Sequence, residues 1–293
     1  MTATESRALA AVLRRVRASE RHIVDVLIQE RAPGLLSRPL VGAVGRAVLY
    51  PLLGYRDAVR MADRIADLPG LEAMEFLREA LSLNVVTEGL EHVPTDRAAV
   101  VVGNHPTGIA DGVVVFDALT RVRRDLTIFA NRDAIRIAPG LADLIIPVEW
   151  VQDRRTRART RETLKSCQLA FRDDRLVVMF PSGRLAYMDT QRRLRERPWM
   201  PTAVSLARRH GIPVIPMHIS GRNSPLFYLF SRLSDQLRDI TLFHEVVNKR
   251  GGEYRVRFGA PIPPEALEGD ADDVTEALQV HVESGFREPF RPV

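Results

Sequence analysis

Apolar positions recur every three or four residues over residues 5–30. Leu9, Val12, Leu13, Val16 and Ile23 stand among arginines there, a spacing that predicts a helix. Pro33 and Gly34 end it. Residues 35–55 (LLSRPLVGAVGRAVLYPLLGY) are apolar, rich in small side chains and flanked by Arg38 and Arg56. Two readings stay open for this segment: a helix lying in a membrane interface with its arginines at the phosphates, or a helix buried against the core. Residues 56–83 read as helical with a break at 68–70. From about residue 85, short apolar runs alternate with helical stretches. Strands are expected at 98–103, 126–130, 144–148, 176–180, 214–219 and 254–258, with helices near 112–121, 156–173 and 198–209. Several runs are continuously apolar, as strands covered on both faces are. The alternation predicts an α/β layer architecture. The tail, 263–293, opens on two prolines and offers one short helix near 271–284.

Composition narrows the class. The 293 residues are 45% hydrophobic and 27% charged, a folded chain with room for a core. The single cysteine, Cys167, excludes an intramolecular disulfide and a cysteine-built zinc cage, and suits a small buried hydrophobe. No uncharged apolar run reaches the roughly 18 to 20 residues of a membrane span, and the nearest, 39–55, contains Arg46. The first twenty residues lack the apolar core of a signal peptide, so neither translocation nor membrane crossing is expected. Forty-two basic against 37 acidic residues give +5. That excess fits an anionic partner: nucleic acid, a lipid surface or a phosphorylated substrate. No nucleic-acid-binding motif accompanies it, so nucleic acid is not expected.

Candidate chemistry gathers where strands end. In VVVGNHPTGIADGVVVF, residues 100–116, a buried strand stops at Gly103, His105 follows, and Asp111 lies beyond a Pro-Thr-Gly turn. In open α/β sheets, sites form beyond the carboxyl ends of strands. His105 and Asp111 are close enough in sequence for the carboxylate to orient the imidazole, which would take a proton from a substrate hydroxyl. The plain alternative is that Asp111 caps a helix and His105 is a bonded loop histidine. In LVVMFPSGRLAY, residues 176–187, a second strand runs into a turn where Ser182, Gly183 and Arg184 suit a phosphate or carboxylate, or make an ordinary turn with a solvated arginine. Arginines 154, 155, 157, 159 and 161 crowd a helix start, which disfavours cations. An anionic lipid or phosphate, or the neighbours Asp153 and Glu162, would offset them. The aromatic run in residues 214–230 suits either core or an acyl-chain groove. The histidines at 22, 92, 210, 218, 244 and 281 form no metal-ligating pair at helical spacing, and no metal is expected.

Together these segments resemble the glycerolipid acyltransferase superfamily, over about residues 85–262. Asn104-His105 to Asp111 resembles its His/Asp block. Ile146-Pro147-Val148 with Asp153-Arg154-Arg155 resembles the second block, Phe180-Pro181-Ser182-Gly183-Arg184 the Phe-Pro-Glu-Gly-Thr-Arg block, and Val214-Ile215-Pro216 the fourth. Val86 to Pro94 resembles the usual approach to the first strand. Two departures stand out. Five residues rather than four separate His105 and Asp111. Ser182 stands where the family has glutamate, and the following arginine comes one place early. Both departures resemble a bacterial hemolysin-like branch related to ornithine-lipid acyltransferases, as do residues 221–227 and 247–251.

The resemblance implies a mixed sheet flanked by helices, with an N-terminal helical membrane-interface region (1–84), a catalytic domain (85–262) and a helical tail (263–293). It implies transfer of a fatty acyl group from acyl carrier protein or acyl-coenzyme A to a lysolipid hydroxyl, lysophosphatidic acid or a lyso-ornithine-type lipid, in membrane lipid biosynthesis. The thioester is a co-substrate and no cofactor is implied. His105 would be the base and Asp111 its orienter. Arg154 and Arg184 would hold the head group, with Ser182, Gly183 and Arg132 nearby and turn amides near Gly108 or Gly183 facing the oxyanion. The enzyme would sit peripherally on the cytoplasmic face of the inner membrane, against an anionic surface. The rivals are acylation of a soluble acceptor of the glycerol 3-phosphate kind and a catalytically silent lipid-binding protein.

Overall fold

The structure is a computed structural model that describes residues 22–36, 47, 50–149, 156–287 and 289–291. Helices α1 (Ile23–Arg31), α2 (Tyr55–Ile65) and α3 (Gly70–Leu81) come first. Then follow β1 (Asn84–Glu88), β2 (Ala99–Gly103), α4 (Ile109–Leu119), β3 (Leu126–Asn131), α5 (Asp133–Ile137), β4 (Ile145–Val148), α6 (Arg157–Arg172) and β5 (Leu176–Met179). A hairpin of β6 (Tyr187–Met188) and β7 (Leu194–Arg195) precedes α7 (Thr202–His210) and β8 (Val214–Ile219). Helices α8 (Pro225–Leu233), α9 (Asp235–Ile240) and α10 (Leu242–Val247) lead to β9 (Glu253–Phe258) and α11 (Ala271–Glu283).

Seven strands form one sheet in the order β1-β9-β8-β2-β5-β3-β4. Only β8 and β9 run antiparallel; the other neighbours are parallel. The fold is therefore α/β with a mixed, mostly parallel sheet between helical layers. Strand β2 explains why its run is apolar without alternation. Ala99 and Val101 join the cluster that includes Val113 of α4 and Leu77 of α3, while Val100 and Val102 join the opposite cluster with Cys167 of α6, Val204 of α7 and Leu278 of α11. Successive side chains point to opposite faces, so a strand covered on both sides must be apolar throughout.

All six expected strands are present. Strand β1 and the small hairpin were not anticipated, nor were the three helices over residues 225–247. The chain at the end of the 35–55 segment is tied down: Tyr50 stacks on Tyr55 at 4.2 Å, and both hydroxyls donate to Asp25. Leu53 packs with Val24, Ile28, Ala62 and Ile240 in a third cluster. Most of that segment, like most of the expected helix over 5–30, lies outside the described residues. Among the described residues no helix is long and apolar enough to cross a membrane. Cys167 is buried, and burial pushes its thiol up to about 12.

Candidate active site

Strands β8, β2 and β5 are neighbours, so the segments leaving their carboxyl ends meet. Asn104 anchors the first of these. Its amide nitrogen donates to the Ile219 carbonyl (2.9 Å) and its oxygen accepts from the Ile219 N–H (2.7 Å), stitching the end of β2 to the end of β8. The next residue is His105. Its ring stacks on Phe180 at 4.4 Å, and its carbonyl accepts from Ala186 N–H at 3.0 Å. The backbone on both sides of the imidazole is thus held.

Nδ1 of His105 lies 2.9 Å from Oδ2 of Asp111, which is fully buried. The approach is close but off the hydrogen-bond direction, because the same carboxylate already serves the turn. Oδ2 accepts from the N–H groups of Thr107 and Gly108, each at 2.8 Å, and Oδ1 from the Thr107 hydroxyl. Asp111 sits in the first turn of α4, so it both caps the helix and faces the histidine. The capping role and the orienting role are one arrangement. Gly108 makes it possible: its φ is +89°, a conformation that favours glycine, and a Cβ there would meet the Leu185 side chain at 3.0 Å.

The second turn lies alongside. Ser182 is buried and its hydroxyl donates to the Arg184 carbonyl (2.8 Å). Gly183 has φ +59° and its N–H donates to the Phe180 carbonyl (3.0 Å). The Arg184 side chain is exposed. His105, Gly108, Phe180, Ser182, Gly183 and Arg184 all line one cavity of about 820 Å³. Its remaining wall is largely apolar: Met61, Ala62 and Ile65 of α2, Met74 and Leu77 of α3, Val113 of α4, and Ile128 and Phe129 of β3. The helices over 55–81 therefore close the cavity against the sheet.

The acyltransferase family's sequence profile matches residues 84–220, which hold His105, Asp111 and both turns but not the α2 and α3 walls of the cavity. The chain is 28% identical over 200 residues to the lyso-glycine lipid O-acyltransferase of Phocaeicola vulgatus, covering 66% of this chain and 70% of that one. It is 28% identical over 203 residues to the lyso-glycine lipid O-acyltransferase of Bacteroides thetaiotaomicron, covering 67% and 72%. Over residues 84–220 the chain is similar to the glycerolipid acyltransferase superfamily. It is an acyltransferase. A solved 1-acyl-sn-glycerophosphate (LPA) acyltransferase, PlsC of Thermotoga maritima, aligns with 91% of this chain and 97% of its own at 18% identity and a TM-score of 0.46.

Within this acyltransferase the expected site residues divide. His105 and Asp111 meet, and Ser182, Gly183 and Arg184 share their cavity. Arg132 is not among the cavity's lining. Its guanidinium pairs with Glu162 of α6 at 2.5 Å, tying that helix to the end of β3. Arg154 lies outside the described residues. Neither amide expected to face an oxyanion is free. Gly108 N–H is bound to Asp111 and Gly183 N–H to Phe180, because each turn uses its amide to hold its own shape. The first turn of α4 still offers the amides of Ile109 and Ala110, which have no acceptor four residues back within the helix. Ile109 lines the cavity.

Two further features escaped the sequence reading. Glu196, just after β7, accepts the His105 N–H at 2.9 Å through Oε1, while its Oε2 is buried without a partner. Burial raises its carboxyl above the ordinary glutamate range, against the lowering effect of the His105 bond. No spacing in RRLRERPW marks that residue. The second feature joins the two segments 221–227 and 247–251. The buried Glu245 accepts from Ser224 N–H (2.9 Å), the Ser224 hydroxyl (2.5 Å) and Lys249 Nζ (2.8 Å). The Asn223 amide, in its satisfied orientation, donates to Glu245 (3.0 Å) and to the Thr107 carbonyl (3.3 Å). Burial alone would raise the Glu245 carboxyl, but the Lys249 and Ser224 bonds outweigh it and hold it low. A buried ion pair thus supports the turn that carries His105.

Proposed function

We propose that the protein esterifies the free hydroxyl of a lysolipid with a fatty acyl group taken from an acyl thioester. The observation that carries this reading is the His105–Asp111 approach of 2.9 Å at the edge of a large, mostly apolar cavity. His105 Nε2 takes the acceptor's proton as its oxygen attacks the thioester carbonyl. Asp111 stabilises the imidazolium through Nδ1. The C–O bond forms, the C–S bond breaks, and the proton passes from His105 to the leaving thiolate. A general base so placed contributes roughly 10²- to 10⁴-fold in rate. The Ile109 amide at the N-terminus of α4 is the donor best placed for the oxyanion, where the helix dipole favours negative charge. The apolar wall from α2, α3 and β3 accommodates an acyl chain.

The acceptor is an amino-acid-headed lysolipid bearing a carboxylate. The names of the two relatives favour it, and so does the third block, where the neutral Ser182 replaces an acid beside the unneutralised Arg184. The protein works peripherally, at an anionic membrane surface. The test presents lyso-glycine lipid, lyso-ornithine lipid, lysophosphatidic acid and glycerol 3-phosphate to the enzyme, with acyl carrier protein and coenzyme A thioesters as donors. A product from an aminoacyl lysolipid, with kcat reduced roughly 10²- to 10⁴-fold in His105→Ala, is expected. A product from glycerol 3-phosphate without lipid overturns the acceptor. A product that persists in His105→Ala overturns the mechanism.

A further inference from the structure

Helix α8 has two contrasting faces. Phe227 and Tyr228 are buried and Ser231 lines the cavity, while Leu229 and Leu233, one turn apart on the opposite side, are 54% and 65% exposed. Leu226 of the same helix packs on the cluster that contains Leu53, and the adjacent Leu52 is 56% exposed. Three of the four most exposed large hydrophobic residues among those described therefore emerge around one small cluster. A soluble surface scatters such residues, and grouping them marks a contact face.

The charges around them are one-sided. Arg222 precedes α8, Arg232 lies between the two leucines and lines the cavity, Arg56 opens α2, and Arg184 stands in the second turn. All four are exposed, and none has a carboxylate partner among the described residues. The acids that follow α8, Asp235 and Asp239, share Arg238 at 2.6 and 2.7 Å, which leaves one negative charge against these four arginines. Arg232 between the leucines, Arg222 before the helix and Arg56 shortly after Leu52 thus give this part of the surface an excess of unpaired positive charge. Projecting apolar side chains with unpaired arginines on the same segments match an anionic bilayer, with leucines below the phosphates and guanidiniums among them.

We infer that the outer face of α8, with Leu52 and the neighbouring arginines, docks on an anionic lipid surface and opens the cavity toward it. The inference rests on the lysolipid reading, since an acceptor held in a bilayer must reach His105 without crossing water. It locates the membrane contact on a helix late in the chain rather than on the N-terminal segment alone. Phe227, Tyr228 and Ser231 face inward, so one helix both touches lipid and walls the cavity.

The full-length protein is sedimented with vesicles of phosphatidylcholine alone and of equal parts phosphatidylcholine and phosphatidylglycerol. The double variant Leu229→Asp/Leu233→Asp is compared after confirming an unchanged thermal midpoint. Binding to the anionic vesicles is expected to fall at least about tenfold in the variant, since two exposed apolar anchors are lost. Arg222→Glu should abolish the preference for anionic over neutral vesicles. Transfer to an acceptor embedded in vesicles should fall with binding, while transfer to a dispersed short-chain acceptor stays unchanged. Equal vesicle binding by wild type and double variant overturns the inference. So does a dimer lost only in the variant, which makes the face a contact between copies. Loss of acyl carrier protein binding with vesicle binding intact also overturns it, since the face then serves the donor protein. Vesicle binding lost in the variant when wild type acylates no lysolipid leaves the docking face standing and defeats the acceptor reading instead.

Discussion

Two turns leave neighbouring strands side by side, and they are built on opposite plans. The turn after β2 buries a full charge. Asp111 is fully buried, and three donors from Thr107 and Gly108 satisfy it before His105 is considered. A buried carboxylate is costly unless so bonded, and once bonded it fixes everything attached to it. The turn after β5 buries only a neutral hydroxyl, Ser182, and leaves the charge of Arg184 in solvent. On the proposed mechanism, geometry is fixed where a proton would move and left adaptable where a head group would be recognised. Reaction type and acceptor choice can therefore change independently.

Substitutions test that contrast in descending order of effect. Asp111→Asn keeps the size of the side chain and removes its charge, so kcat should fall roughly 10²-fold or more through loss of imidazolium stabilisation. Asp111→Ala should also cost about 2 to 4 kcal/mol of unfolding free energy, because buried amides of the turn lose their acceptor. Chemical denaturation beside single-turnover kinetics separates the two. A fast Asp111→Asn enzyme would remove the distinction between the turns.

Arg184→Ala should raise KM for a carboxylate-headed acceptor about tenfold at unchanged kcat, the scale of one charge-assisted hydrogen bond. Steady-state kinetics check it, and a drop in kcat alone would assign Arg184 to the chemistry. Glu196 lies between the turns and has a pH signature. Its carboxyl is raised by burial, so the folded protein keeps a proton that the unfolded chain releases. Wild-type stability then declines as pH rises from the ordinary glutamate range to the raised value, and is level on either side. Glu196→Gln keeps an acceptor for His105 N–H and removes that decline. Its Tm relative to wild type should climb through the same window. Ser182→Ala should have the smallest effect, within about 1 kcal/mol of stability, since it removes one local hydrogen bond to a carbonyl.

The legibility of the sequence follows burial. Strands β2 and β5 were readable because apolar neighbours on both faces leave no freedom in AVVVG or LVVM. Strand β1 was not, because only Val85 of NVVTE is buried and its pairing partner lies far along the chain. The β6–β7 hairpin has two residues per strand and no apolar pattern. Helices α8 to α10 were not read as helices, only the aromatic run to residue 230 being singled out, because their breaks are set locally by Ser234 and Thr241 at the caps. In the site, His105 and Asp111 were readable because they are close in sequence and chemically distinctive. Glu196 was not, since its role comes from the fold of the hairpin. Arg132 illustrates the reverse. It stands near the right strand end, but Glu162 claims its charge.

The position of β1 has a consequence for synthesis. Its sole neighbour in the sheet is β9, which also covers the open side of β8, yet β9 is the last of the described strands in chain order. A chain halted on the ribosome before residue 253 carries Asn84–Glu88 with no strand beside it and Val214–Ile219 with one edge open. Such edges pair readily with other chains, and contacts between distant segments form slowly. The nascent enzyme thus passes through its most aggregation-prone interval late, when most of its sequence is already exposed to the cell.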